Sequence, residues 1–395
     1  MNILQGLFNR WMGSSFRPIT YNQLLGTKTP VLIDTGNLMD VYQSVPHLRI
    51  AIDKKAEMLS NMEIKLYDSM GIEVTDHPVL SLFQKPNPLQ STEKFINQYS
   101  TMLNIYANSF IYKNVGMPKS LPLAMWVFPS GDMQVNNTGK LFQQVTIEGI
   151  IESYEIVSTQ QIYSPKDVLH ISNGDAEQYY IGKSKIYTLA LPISNILASL
   201  KSRNILITER GAIGILSSAS KDSDGGVPLG RDERERIERQ YQRDRGLDST
   251  KGHVVVTNSQ LTWQPMTIAV RDLMLFEEIE DDFAAILGAY GLARDLFPSV
   301  KGATFENQKE ALRTTYQNTI QPEADGLMNS LTMFLGLDKE GLKLSADYSW
   351  LPCMKEDEKR IQEIESSKVN SLHTQFADGV ITLNEYREFL GYLPL

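Results

Sequence analysis

The sequence predicts an α+β fold, and three observations support this prediction. Residues 45–61 repeat apolar side chains at helical spacing, from Leu48 to Leu59. Residues 109–158 contain short apolar segments separated by Gly and Pro, which is typical of strands and turns. The chain has 395 residues, of which 42% are hydrophobic. That length suggests roughly two to three domains, with a core that needs no disulfide or structural metal.

The N-terminal half is predicted to mix helices and strands. A small hairpin is expected at residues 62–74, and a short helix opens at Asp76 and Pro78 and runs through Leu82. Residues 92–107 predict a longer helix whose buried stripe is Phe95, Tyr99, Met102 and Tyr106. Strands are then predicted at 109–115, 123–129, 133–137, 141–147 and 153–158.

The C-terminal half is predicted to place a small insertion between two helices. The first helix covers residues 186–208, the insertion is a β–loop–α–β–β segment at 212–270, and the second helix covers 271–290. Residues 306–335 are predicted to be helical, with Pro322 forcing a kink or a break. The tail predicts a strand at 342–352 and a charged helix at 355–376.

The composition argues against several classes of function. Cys353 is the single cysteine, so the chain forms no intrachain disulfide and no four-cysteine zinc site. The five histidines have no metal-ligand spacing, and we expect neither a metal nor a cofactor. A net charge of −9 argues against tight wrapping of nucleic acid, although DNA could still pass such a protein without sticking. We expect no membrane span and no signal peptide, and therefore a reducing interior.

Residues 271–290 are the most informative segment. One arc of this helix is apolar, from Leu275 to Tyr290. The rest carries five acids: Glu277, Glu278, Glu280, Asp281 and Asp282. Because like charges this dense repel, they would destabilise a monomeric helix. Three interpretations are open, namely a solvated face, a carboxylate metal site of a nuclease, and a surface that repels phosphates. The metal site is the least supported, since all five acids lie on one helix with no second ligand segment nearby in sequence.

Residues 231–245 hold a dense run of Arg and acids. The pattern is typical of an exposed helix with ion pairs at i,i+3 and i,i+4, and the functional alternative is a protein–protein docking surface. The candidate docking residues are Arg231, Arg234, Glu235, Glu238 and Arg239.

Residues 180–184 resemble the end of a phosphate-binding loop. The full motif needs a glycine five residues before Gly182, and that position is Glu177. A turn that leads into a helix is therefore the better interpretation. His170 is expected to be a strand histidine held by a hydrogen bond, and Cys353 a packed thiol. No nucleophile–base or paired-carboxylate arrangement predicts an enzyme.

The order of several segments is similar to that of HK97-like portal proteins of tailed bacteriophages. The segments are VPHLRIAIDKKAEMLSNMEIKLYD at 45–68, LFQKPNPLQSTEKF at 82–95, NIYANSFIYKN at 104–114, DVLHISN at 167–173, IGKSKIYTLALPI at 181–193, DDFAAILGAYGLARDLF at 281–297, GATFENQKEALRTTYQNTIQPEAD at 302–325 and GVITLNEYREFLGY at 379–392. In that family a glycine commonly precedes the Asn of the third segment, and here Ala107 takes its place.

The resemblance implies a portal fold with an α/β wing, a helical stem, a small α/β clip and a long kinked helix. It implies assembly as a ring, usually a dodecamer, at one capsid vertex. The implied divisions are the N-terminal wing at 1–193, stem helices at 194–211 and 271–291, the clip at 212–270, the tunnel loop at 292–305, the kinked helix at 306–336, and the C-terminal wing or short crown at 337–395.

The resemblance also implies a function and partners. Double-stranded DNA would pass through the ring during packaging and ejection, and the ring would dock the large terminase and later a head–tail adaptor. Major capsid and scaffold proteins are further implied partners, in the virion and in the host cytoplasm during assembly. The five acids would line the channel, and Arg294 and Lys301 would contact the DNA backbone near the tunnel loop. The alternative is a metal-dependent nuclease or DNA-processing hydrolase that uses the acids at 277–282.

Overall fold

The computed structural model describes most of the chain. The described residues are 36–115, 122–175, 178–208, 214–218, 221–222, 225–226, 230–244, 261–265, 275–297, 305–378 and 381–389. The chain divides into a first unit, Met1–Ile50 with Ser184–Leu287, and a second unit, Ala51–Lys183 with Gly288–Leu395.

Helices dominate the described residues. The α-helices are α1 Leu38–Ser44, α2 Pro46–Ser60, α3 Pro78–Gln84, α4 Thr92–Tyr106, α5 Ile147–Ile150, α6 Lys185–Thr188, α7 Ala190–Thr208, α8 Arg231–Asp244, α9 Leu275–Tyr290, α10 Phe305–Thr315, α11 Gln321–Leu335, α12 Pro352–Ala377 and α13 Leu383–Phe389. Short 3-10 turns are Ser130–Asp132, Leu141–Gln143, Arg294–Leu296 and Leu337–Glu340.

The strands are short. They are β1 Glu63–Tyr67, β2 Asn108–Asn114, β3 Ala124–Val127, β4 Met133–Asn137, β5 Ile151–Ile156, β6 Gln161–Tyr163, β7 Val168–Ser172, β8 Gly214–Ser218, β9 Lys221–Asp222, β10 Gly225–Gly226, β11 Leu261–Pro265 and β12 Lys343–Asp347. This mixture of helices and antiparallel strands confirms the predicted α+β class.

The described part of the second unit contains three small antiparallel sheets. The central sheet has the order β3-β2-β7, a second sheet has the order β4-β5-β6, and β1 pairs with β12. The central sheet and the second sheet meet at Phe110 and Tyr154, whose ring centroids lie 5.6 Å apart, edge to face. Such aromatic pairs add to the stability that burial provides.

Two helices predicted from apolar spacing form the core beside these sheets. In α2, Leu48, Ile52, Ala56 and Leu59 are all buried, as predicted. In α4, Phe95 and Tyr99 are buried, whereas Met102 and Tyr106 are only half-buried, and Ile96 and Leu103 complete the buried face. The helix ends at Ala107, which has the left-handed φ of 58°.

A buried lysine connects three helices of the second unit through an ion pair and a hydrogen bond. The Lys55 ammonium of α2 lies 2.7 Å from the Glu323 carboxylate of α11 and donates a 3.2 Å hydrogen bond to Asn104 Oδ1 of α4. Lys55 is only 5% exposed, so this pair is largely removed from water. Breaking one side of such a pair costs much more than the pair itself contributes.

Pro322 changes the helix around it without ending it. A π-helical turn, Tyr316–Ile320, joins α10 to α11, and Pro322 lies in the first turn of α11. Proline has no N–H to donate to the carbonyl of Asn318. The wider π turn accommodates the loss of this hydrogen bond without ending the helix. The predicted helix at 306–335 is thus continuous, with its irregularity at the predicted place.

Several predicted elements differ from the structure. The strand predicted at 141–147 was wrong, because β4 pairs directly with β5 and this segment connects them as a 3-10 turn and the short α5. The hairpin predicted at 62–74 is reduced to one bridge between Tyr67 and Glu73, since β1 takes β12 as its main partner. The strand β6 was not predicted.

Two predicted helices begin or break differently. The helix predicted at 186–208 is split at Leu189 into α6 and α7, because Pro192 cannot donate to the carbonyl of Thr188. The short helix α3 begins at Pro78 and is capped by His77, whose Nδ1 accepts the backbone N–H of Val79, rather than by Asp76.

Among the described residues, the first unit contains α1, the start of α2, α6, α7, α8, most of α9 and two small antiparallel pairs. The strand β8 pairs with β11, and β9 pairs with β10. Between the two predicted flanking helices, the described residues form β8, β9, β10, α8 and β11 in that order. The strand–helix–strand order agrees with the predicted insertion, but the predicted loop contains the short pair β9–β10, and the first of the two strands predicted after the helix, at 253–258, lies outside the described residues.

Candidate channel helix and docking surface

The helix α9 has the amphipathic arrangement that its sequence predicts. Ile286, Leu287 and Tyr290 of the predicted apolar arc are buried, and Phe283 is half-buried with its ring 5.0 Å from that of His47, edge to face. Asp281, on the other side of the helix, is exposed. The C-terminal part of the apolar arc is thus already covered by residues of the same chain.

The five candidate acids lie in the N-terminal half of α9. Glu277 and Glu278 belong to its first turn, but their side chains lie outside the described residues. Glu280 and Asp282 are half-buried, and both interact with neighbouring groups, whereas Asp281 is exposed. Negative charge near a helix N-terminus is stabilised by the helix dipole, which offsets part of the repulsion among the acids.

The loop after α9 is hydrogen-bonded to the π turn within the long helix that α10 and α11 form together. Gly291 has a φ of 72°, and its carbonyl accepts a 2.7 Å hydrogen bond from the Thr319 hydroxyl. Arg294 begins the following 3-10 turn and is exposed. Lys301, the other predicted DNA contact, lies outside the described residues.

The helix α8 presents most of its described charged side chains to solvent. Arg231 and Glu235 form an i,i+4 ion pair at 3.6 Å, and Arg239 Nε donates to the Glu235 carbonyl at 3.2 Å. Arg234 is exposed as well, and Ile237 is buried. The side chain of Glu238 lies outside the described residues. Exposed pairs of this kind contribute about 0–1 kcal/mol, so stability alone does not explain the charge density.

The structure does not bring all the candidate residues into one unit. The acids of α9 and the charged residues of α8 belong to the first unit, and Arg294 belongs to the second. Among the described residues, no cluster of three or more His, Cys, Asp or Glu side chains could hold a metal ion. In the same part of the chain, no helix is both long and apolar enough to cross a membrane.

The apparent phosphate loop at 180–184 is a structural turn, as predicted. A side chain at Gly182 would overlap the backbone oxygens of Ala107 and Asn173, so this position requires glycine. Ser184 accepts the backbone N–H of Ile186 at 3.2 Å and thereby caps α6.

Sequence reasoning missed the side chain that holds this turn. Asn108 Nδ2 donates to the carbonyl oxygens of Tyr106 and Gly182, at 2.8 and 2.9 Å. Its Oδ1 accepts the Gly182 N–H at 2.8 Å and lies 3.0 Å from His170 Nε2. Because that oxygen is an acceptor, His170 is the donor and carries its proton on Nε2. The predicted hydrogen bond of His170 is therefore confirmed, and the pKa of His170 is lowered to about 4 by burial.

Solved structures of portal and neck proteins are similar to this chain. A chain of the neck of a native gene transfer agent (GTA) particle, computed with C12 symmetry, matches with a TM-score of 0.61 at 17% identity, over 92% of this chain and 96% of that chain. The HK97 family phage portal protein from Corynebacterium diphtheriae matches with a TM-score of 0.52 at 9% identity, over 78% of this chain and 94% of that chain. An uncharacterised protein of Rickettsia bellii is 22% identical over 334 residues, 82% of this chain and 80% of that protein.

These matches show that the chain has the portal fold. The model of the phage portal protein family matches residues 46–391. The chain belongs to the phage portal protein family, and the predicted resemblance is confirmed.

Proposed function

We propose that this chain is the subunit of a portal ring at one vertex of a phage or phage-like capsid. Double-stranded DNA enters through the ring during packaging and leaves through it during ejection. The observation that carries the proposal is the family match across residues 46–391, which includes parts of both compact units. The C12 symmetry of the similar neck structure supports twelve subunits. The proposed location is the virion, and the host cytoplasm during assembly.

The proposed division of the chain follows the family resemblance. We assign the wing to 1–193, the stem to 194–211 and 271–291, the clip to 212–270, the tunnel loop to 292–305, the kinked helix to 306–336, and the C-terminal wing or short crown to 337–395. The position of the π turn inside 306–336 supports the kinked-helix assignment.

Ring formation is the first test. Purified protein imaged by negative stain and weighed by mass photometry should form closed rings with an axial hole. A protein that stays monomeric at high concentration would overturn the proposal. The same preparation should not cleave plasmid DNA in the presence of Mg²⁺, because cleavage is what the nuclease alternative predicts.

We propose that the acids of α9 form the negative wall of the channel. Such a wall repels DNA phosphates, so the duplex finds no deep electrostatic minimum in which to stall. Screening limits this effect to about 8 Å at physiological salt, so only acids close to the DNA contribute. The exposure of Asp281 supports this role, because a lumen-facing side chain must reach solvent.

Charge removal tests the negative wall. Replacing Glu277, Glu278, Glu280, Asp281 and Asp282 with Gln should slow packaging and change DNA retention. The matched control replaces five exposed acids of the second unit: Glu63, Glu73, Glu93, Glu152 and Asp338. Equal packaging by both variants would contradict the proposal.

We further propose that Arg294 and Lys301 contact the DNA backbone transiently. The exposure of Arg294 on a loop fixed to the long helix supports this role. The Arg294→Ala/Lys301→Ala ring should lose DNA retention, whereas the control Lys166→Ala/Lys339→Ala, which changes two exposed lysines, should not. Unaltered retention in the first ring would refute the contact.

The exposed helix α8 is proposed to dock the large terminase and later the head–tail adaptor. The double charge reversal Arg234→Glu/Arg239→Glu should abolish co-purification of terminase and leave rings intact. The control Lys355→Glu/Lys368→Glu, on the exposed part of α12, should leave both terminase co-purification and the rings intact. Terminase binding by the α8 variant would remove the support for this surface.

A further inference from the structure

One loop of the second unit exposes large apolar side chains. The connection between β4 and β5 presents Phe142 and Val145, which are 83% and 99% exposed, beside Tyr179, which is 71% exposed. The rings of Phe142 and Tyr179 lie 5.6 Å apart, edge to face, so the two aromatics support each other. Exposed apolar side chains that cluster in this way mark contact surfaces rather than ordinary monomer surface. We call Phe142, Val145 and Tyr179 the apolar knob.

Two hydrogen bonds hold the base of the loop that carries the knob. Thr138 N–H donates to the carbonyl of Ile150 at 2.9 Å, and the Asn137 carboxamide donates to the Tyr180 hydroxyl at 2.9 Å. These contacts join the two ends of the loop and tie it to the segment that carries Tyr179. Such preorganisation lowers the entropy lost on binding.

The same unit also contains an apolar groove of about 530 Å³. The groove lies between α2, α10 and the start of α12. Its apolar lining residues are Met58, Leu312, Tyr316, Leu351, Pro352 and Cys353, and its polar lining residues are Lys54, Asn61, Gln308 and Lys309. This volume lies within the range of pockets that accept ligands or inserted side chains. We call it the apolar groove.

Several layers separate the knob from the groove. The sheet β4-β5-β6 that carries the knob packs on the central sheet through Tyr154 and Phe110. The central sheet packs on α4, and α4 is joined to α2 by the hydrogen bond from Lys55 to Asn104. The groove is lined by Lys54, Met58 and Asn61 of α2. The knob and the groove are therefore formed by different elements and are separate patches of the unit.

We propose that the apolar knob of one subunit inserts into the apolar groove of the next copy of this chain. A knob and a hole on different surfaces of one molecule make a heterologous contact, which closes into a ring when the rotation between copies allows it. Charge also fits, because exposed Glu148 follows the knob and the groove is lined by Lys309 and by Lys54. Lys54 pairs with Glu57 of its own helix, but such an exposed pair contributes only about 0–1 kcal/mol and can be exchanged for another. The inference rests on the proposed ring and names the contact that closes it. It also adds an intersubunit surface to any that α9 provides, since the C-terminal part of the α9 apolar arc is covered by its own chain.

A crosslinking experiment on the intact chain tests the contact. In a Cys353→Ser background, Val145→Cys and Lys309→Cys put one thiol on the knob and one at the groove. After treatment with a short bismaleimide, a denaturing gel should show a ladder that extends beyond the dimer towards the full ring. A heterologous contact links every subunit to two neighbours, whereas an isologous contact stops at the dimer. The control Leu89→Cys/Lys309→Cys places the first thiol at another exposed position and should give no ladder.

A substitution adds an independent readout. Phe142→Asp should raise the concentration at which half of the protein is assembled by at least about 30-fold, as expected for the loss of an aromatic interface anchor. The matched control Leu89→Asp, at a side chain that is 79% exposed, should leave it unchanged.

The outcomes separate this inference from the proposed function. Rings by microscopy together with a long ladder support both. Rings with no ladder, or with dimers only, overturn the knob-in-groove contact and leave the portal proposal standing. The absence of rings in the unmodified protein overturns the portal proposal itself.

Discussion

Gly182 occupies a position where the backbone of three segments converges, so Gly182→Ala is a direct test of the structure. A Cβ at this position would overlap the carbonyl oxygens of Ala107 and Asn173 and lie 3.0 Å from the Asn173 nitrogen. All three atoms belong to the backbone, so no side chain can rotate away to relieve the clash. The same residue makes two hydrogen bonds with the Asn108 side chain, at 2.8 and 2.9 Å.

The cost of the substitution follows from these contacts. Overpacking that shifts the backbone costs about 1–3 kcal/mol. Losing two buried hydrogen bonds adds about 1 kcal/mol each. We expect a loss of roughly 3–5 kcal/mol, which lowers the melting temperature of a domain of this size by about 10 °C.

Calorimetry of the intact chain measures the loss, and Gly174→Ala is the matched control. An added Cβ at Gly174 meets no atom within 4 Å, so that variant should stay within about 0.5 kcal/mol of the unmodified protein. Limited proteolysis should cut Gly182→Ala faster near residues 173–183. A Gly182→Ala protein as stable as the control would refute the close approach of these segments.

Three further substitutions test other parts of the second unit. Lys55→Met should cost about 3–5 kcal/mol because it leaves the Glu323 carboxylate uncompensated, and Lys55→Met/Glu323→Leu should recover most of this in denaturant unfolding. His170, with its pKa lowered to about 4, is neutral in the fold, and the unfolded chain takes up its proton first as pH falls. Stability should therefore fall between pH 6.5 and about 4 by up to about 1.4 kcal/mol per pH unit, and His170→Gln, which can still donate to Asn108, should lack this component. Ala107→Gly should gain up to about 1 kcal/mol in thermal unfolding, because Ala107 has a left-handed φ of 58°.

Helices with one apolar face were predictable because burial repeats along the sequence itself. All four apolar residues predicted for the face of α2 are buried, and the arc of α9 is buried at Ile286, Leu287 and Tyr290. The irregularity at Pro322 was also predictable, since the missing N–H is a local property.

Strand pairing was less predictable because partners are chosen across the chain. The strand β1 pairs with β12, whose residues 343–347 come far later in the chain than β1 at 63–67, although residues 72–74 offer a nearer partner. The segment 141–147 contains apolar and β-branched residues that favour a strand, but the direct pairing of Asn137 with Ile151 leaves it without a strand partner. Alternation specifies a face and does not specify which strand lies beside it.

The candidate functional residues also differ in how well the sequence alone predicts them. The acids of α9 and the charged residues of α8 are visible in a single stretch of sequence. The network around Asn108 is not, because its partners His170 and Gly182 lie 62 and 74 residues away. The only available signal was the glycine that family members commonly carry at position 107, which the left-handed φ of Ala107 explains.

In the proposed ring, the repulsion among the acids of α9 and the attraction provided by the apolar knob have opposite effects on stability. Each added subunit brings five more acids to the channel, so electrostatic repulsion grows with every subunit. Helix dipoles offset only part of it, because each contributes about 0.3–1 kcal/mol at an exposed site. The compensating attraction must come from contacts that carry little like charge and lie away from the channel. Phe142, Val145 and Tyr179 meet the first condition, and they belong to a different unit from the acids of α9. Raising the salt concentration weakens the repulsion and leaves apolar burial intact, so a ring held in this way becomes more stable in salt, opposite to one held by ion pairs.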